Sequence, residues 1–114
     1  MQNQYSKAIR KKFRELAAKA YERELDQHLA MLNQRFDEWR QKKMSGFELN
    51  DLIHEFHQGA SRELWKTYNY LDADMAVSRA VGKGILKKEE VPEELLNLIS
   101  RQLDFLEKHQ QENE

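Results

Sequence analysis

The chain has 114 residues, enough for one domain and too few for two ordinary ones. It carries 19 basic and 20 acidic residues, no cysteine, one proline and four glycines, and its mean hydropathy is −0.94. These values exclude a disulfide framework, a cysteine zinc site, a thiol nucleophile, a membrane-spanning apolar run and a glycine-rich phosphate loop.

The N-terminal MQNQYSKAIRKKF has no apolar h-region, so a secretory signal is not expected and the expected location is cytoplasmic. From Met1 to Ser45 there is neither glycine nor proline, and the stretch is rich in strong helix formers. Ile9, Phe13, Leu16, Ala17 and Ala20 recur at spacings of one helical face. The stripe then shifts by one residue through Tyr21 and continues through Leu25, Leu29, Leu32, Phe36 and Trp39. This pattern predicts a helix over about 6–42.

Ser45 is placed to cap a second helix, with Glu48 reaching back and Met44 and Leu49 forming a hydrophobic staple. Leu49, Leu52, Ile53 and Phe56 mark its apolar face, and Gly59 is the expected stop. Ser61 is the expected cap of a third helix bearing Leu64, Trp65 and Tyr68, with Trp65 and Tyr68 facing the core. Asp72 or Asp74 opens a fourth through Met75, Ala76, Val77, Ala80 and Val81, closed by Gly82 and Gly84. Pro92, with Glu93 and Glu94 behind it, opens a fifth along Leu95, Leu96, Ile99, Leu103 and Leu106. No segment alternates with period two. The fold class is therefore all-α: about five helices, one long and N-terminal with four shorter ones packed against it. The domain is read as 1–110, with 111–114 a polar frayed tail, and the stripe of the last helix is expected to lie along the long one.

A straight helix over 6–42 is about 55 Å long, whereas a compact domain of this size is roughly 35 Å across. The overhang bears Phe, Leu and Trp side chains. Pairing with a second chain, a bend in the helix or a bare end would each resolve it. A twofold homodimer through this helix is the leading expectation.

Three groups are candidate sites. Asp51, His54 and His57 lie within two helical turns and are of metal-ligand type. Their spacing misses the His-x-x-x-His of helical zinc enzymes by one residue, and no second Glu/Asp-x-x-His element completes a di-iron set. The blander reading is a boundary histidine beside an apolar face. Lys7, Arg10, Lys11 and Arg14 form a basic strip suited to an anion such as a nucleic-acid phosphate, or simply to solvent. Phe36, Trp39, Phe47 and Tyr70 are candidate interaction aromatics. No nucleophile elbow, Walker loop or dinucleotide fingerprint is present, and no cofactor is expected.

These readings favour a non-catalytic interaction or regulatory protein, self-associating through its long helix, with a further protein partner as a second possibility. A metal-binding or acid/base enzyme built on Asp51–His57 and a nucleic-acid binder built on the basic strip remain the alternatives. Residues 1–43 hold 11 basic and 6 acidic groups, and residues 44–114 hold 8 and 14. The near-neutral total thus hides a basic long helix and acidic shorter ones.

Overall fold

The computed structural model describes residues 5–112, with side chains through His109. Among the described residues all regular structure is helical. The helices are α1 (Lys7–Arg40), α2 (Gly46–Phe56), α3 (Arg62–Tyr70), α4 (Ala73–Gly82), α5 (Glu93–Leu98) and α6 (Ser100–Glu112). Lys88–Glu90 adds a 3-10 turn, and His57–Ser61 is a π-helical turn joining α2 to α3. No helix is long and apolar enough to cross a membrane among the described residues.

α1 is continuous over 34 residues, or about 51 Å of rise. It spans the longest dimension of a body measuring 54 × 34 × 24 Å. Ser6 caps it by accepting a hydrogen bond from the Ile9 amide at 3.2 Å. The chain leaves α1 through Lys42, at φ 62°, and re-enters helix at Ser45. There the capping box forms: the Glu48 amide donates to Ser45 Oγ at 3.1 Å and the Ser45 amide donates to Glu48 Oε1 at 3.3 Å.

The long helix has two neighbours, one after the other. Its N-terminal half lies on α4, where Phe13 and Ala20 enter a core of Val77, Ala80, Val81, Leu86, Val91, Leu95, Ile99 and Leu103. Alanines at 17, 20 and 80 let the two helix axes approach closely. Its C-terminal half is followed back by α2 and α3, which form an antiparallel arm with it. The face directed at α4 centres on Phe13 and Ala20, whereas Tyr21, Leu25, Leu32 and Phe36 centre ~120° further round at ~100° per residue. The one-residue shift in the stripe is therefore a handover between two packing partners.

Three expectations about helix ends need correction. Gly59 does not stop the second helix, and Ser61 caps nothing: its φ and ψ are −60° and −48°, inside a helical path. Phe56 and Leu64 are eight positions apart, which would leave them ~80° out of phase in an α-helix. The wider π turn absorbs one residue, and Leu64 and Tyr68 return to the face of Leu49 and Phe56. The last helix is divided at Ile99 (φ −106°, ψ 11°), which keeps Leu95, Ile99 and Leu103 all buried. It lies mainly on α4 rather than along α1. The backbone of α6 stays helical through Glu112, past the point where fraying was expected; residues 113–114 of that tail lie outside the described residues.

The segment Lys83–Pro92 is tied to α1 by polar contacts. Arg23 donates to Glu90 at 2.7 Å and to the Ile85 carbonyl at 3.0 Å, and Lys19 pairs with Glu90 at 3.1 Å. The Arg23 guanidinium, the Lys87 amide and Lys19 hold the Glu90 carboxyl far below the usual carboxylate range.

Candidate functional site

Where the two halves of α1 meet, a part-buried polar network centres on the buried Glu24. Glu24 is 7% exposed in a row that is otherwise apolar. Arg79 of α4 donates to it from Nη1 at 2.8 Å, with Nη2 at 3.4 Å from the other carboxylate oxygen. The Tyr68 hydroxyl of α3 donates to the same Glu24 oxygen that takes Nη1. The guanidinium also lies 5.8 Å from the Tyr68 ring centroid. Burial raises the Glu24 carboxyl, but hydrogen bonds from Arg79 and Tyr68 and the charges of Arg79 and Lys83 outweigh it, leaving it below its ordinary value. Burial and the neighbouring carboxylate push the Tyr68 hydroxyl up. Three helices therefore meet at one satisfied charge cluster.

Tyr68 is in turn stacked on Tyr21, with ring centroids 4.8 Å apart and planes 4° from parallel. Tyr21 lines an open pocket of about 280 Å3 whose remaining walls are His57, Gln58, Ser61, Arg62 and Trp65. All but Trp65, in the first turn of α3, and Arg62 belong to α1 or to the π turn. The π turn widens the helix at this point, as such turns often do at functional positions.

The residues singled out from the sequence are scattered. Asp51, His54 and His57 are all exposed, and only His57 reaches the pocket. Among the described residues no three His, Asp or Glu side chains come together as a metal set. Lys7, Lys11 and Arg14 stand in solvent. Arg10 instead is half-buried, its Nε enclosed without a hydrogen-bond partner. Phe47 and Tyr70 are 87% and 74% exposed. Phe36 is half-buried, with Trp39 edge-on to it at 6.4 Å and the Arg40 guanidinium 6.0 Å from its ring. Trp65 does not face the core: it is half exposed, with Tyr70 edge-on at 6.1 Å.

Sequence reasoning missed the Glu24–Arg79–Tyr68 cluster. Its one trace is an acidic residue at position 24, on the face of α1 that also carries Phe13, Ala17 and Ala20.

The second feature with functional content is the surface of the arm. No residue of α1 beyond Glu24 is buried, although Leu25, Leu29, Leu32, Phe36 and Trp39 are all apolar. Across from them, only Leu49 and Leu64 of α2 and α3 are buried, and Ile53 is 37% exposed. Two helices bury a single seam, and here both outer flanks stay open.

No family model, curated protein or solved structure matches the chain.

Proposed function

We propose that the chain is a non-catalytic helical interaction module that self-associates through the distal half of its long helix. The observation that carries this reading is that Leu25–Arg40 contains no buried residue. The N-terminal half of the same helix is anchored in a full core, so the distal half is held out as a half-covered arm.

The arm is ~24 Å long and, at ~10 Å per helix, ~20 Å wide. One face offers on the order of 500 Å2 in projection, and side-chain relief brings this to the ~600 Å2 per partner of small specific interfaces. A twofold axis would set Leu29 and Ile53 of one copy against the same residues of the other. Two hairpins would then close into a four-helix bundle, the smallest arrangement that covers such seams.

Sedimentation equilibrium tests the proposal. The expected mass is twice 13.7 kDa, and Leu29→Glu is expected to return it to 13.7 kDa. Leu29 is 42% exposed within one chain, so the variant is expected to keep the monomer fold, which an unchanged helical circular-dichroism spectrum checks. A parent protein that stays monomeric at high micromolar concentration would refute the proposal.

A further inference from the structure

We propose that the pocket at the π turn binds a small planar aromatic carboxylate, its ring against Tyr21 and Trp65 and its anionic group on Arg62 and His57. The inference stands apart from self-association, because every residue lining the pocket belongs to one chain.

The rigidity of the pocket originates in the interior. A buried ion pair is weak evidence for stability, since well-packed apolar groups of the same size serve as well. What the Glu24–Arg79 pair does here is fix the Tyr68 hydroxyl. Tyr68 then fixes the plane of Tyr21 by near-parallel stacking. The pocket therefore has a ring held in place before any ligand arrives. A preorganised aromatic surface costs little ordering entropy on binding.

The rest of the lining is polar and unused. Among the described residues, the side chains of His57, Gln58, Ser61 and Arg62 make no hydrogen bond or ion pair. Arg62 supplies a forked cation suited to a carboxylate, and His57, Gln58 and Ser61 supply further donors. Trp65, half exposed, offers the second flat apolar surface. No carboxylate lines the pocket, so its charge is positive. A volume of about 280 Å3 suits a ligand of one or two fused rings with one charged group.

The test is an amide-resolved NMR titration of the full chain with indole-3-carboxylate, with indole alone and inorganic phosphate alone as comparison probes. Indole-3-carboxylate is expected to shift the Trp65 indole N–H and the amides of 57–65 saturably. Each half-probe should bind at least tenfold more weakly. Arg62→Gln should weaken binding at least tenfold at an unchanged melting temperature, and Trp65→Leu should weaken it comparably. Arg101→Gln, on the exposed surface of α6, should leave it unchanged. No saturable shift, shifts confined to the basic strip at 7–14, equal binding of phosphate alone, or an Arg62→Gln variant with parental affinity would each overturn the proposal.

Discussion

Replacing Arg79 by methionine should expose the role of the buried charge cluster. The change keeps a long side chain on α4 but leaves Glu24 without its guanidinium partner. Removing one member of a fully buried pair costs ~3–5 kcal/mol. The Arg79 and Glu24 side chains are 24% and 9% exposed, and the Tyr68 hydroxyl and the Lys83 charge remain beside the carboxylate. These features bring the expected loss to ~2–3 kcal/mol at neutral pH, or a fall in melting temperature of ~10 °C for a domain of this size. The pH dependence has a definite sign. In the parent, Glu24 lies below its ordinary value of 4.5, so its contribution is complete above that pH and is lost as pH falls through the depressed value. In Arg79→Met the burial effect loses its main opponent and the Glu24 carboxyl moves upward. The folded variant then binds a proton more tightly than its unfolded chain, and it regains stability as pH falls from neutral. The gap between parent and variant should therefore narrow on acidification from pH ~7 to pH ~5. Adding Glu24→Met should recover much of the loss, because no unpaired charge then remains. Denaturant unfolding at the two pH values is the assay. A loss below ~0.5 kcal/mol, a gap that does not change with pH, or a double variant worse than the single would refute the reasoning.

Other outcomes follow from the same geometry. Glu90→Gln should lower the melting temperature by loosening Lys83–Pro92 from α1, and the effect should shrink at high salt because Arg23 and Lys19 are solvent-accessible. In the parent, the Glu90 contribution is complete above the ordinary carboxylate value and lost only in strong acid, as its carboxyl is held low by Arg23. Leu95→Ala, at a site 0% exposed, should cost ~2–5 kcal/mol by chemical denaturation. Gly84 sits at φ 77°, so Gly84→Ala should cost about 1 kcal/mol through backbone strain, with open space around the new methyl group.

Most of the fold was legible because it is written in local periodicity. Ser6 to Arg40 has no breaker, Ser45 and Glu48 announce their own cap, and the stripes of α4 and α5–α6 name their buried residues. What local pattern could not carry was the identity of each neighbour. Gly59 and Ser61 resemble a stop and a start because both residues favour helix ends in isolation. The competing signal was the spacing of eight between Phe56 and Leu64, which an unbroken helix can satisfy by a π turn. The Glu24 cluster escaped for a related reason. Its members are 44 and 55 positions away from Glu24, so nothing local distinguishes this glutamate from a solvated one.

The overhang of the long helix has a fourth resolution beyond pairing, bending or exposure. The helix stays unbroken from Lys7 to Arg40, and the chain's own α2 and α3 run back along it. That answer covers one seam and stops there. The Tyr21–Tyr68 stack and Leu64 close the inner end of the arm, while Leu29, Trp39 and Ile53 keep a third or more of their surface in solvent. Leu29 and Ile53 leave 42% and 37% of their surface in solvent, apolar area that a second copy would cover. Their presence on the open flank, beside a helix whose proximal half is locked by Phe13, Ala20 and the Arg79–Glu24 pair, gives the arm a rigid base and an unsatisfied apolar edge. The proposed self-association requires both properties: α1 supplies the base, and Leu29 of α1 with Ile53 of α2 supplies the edge.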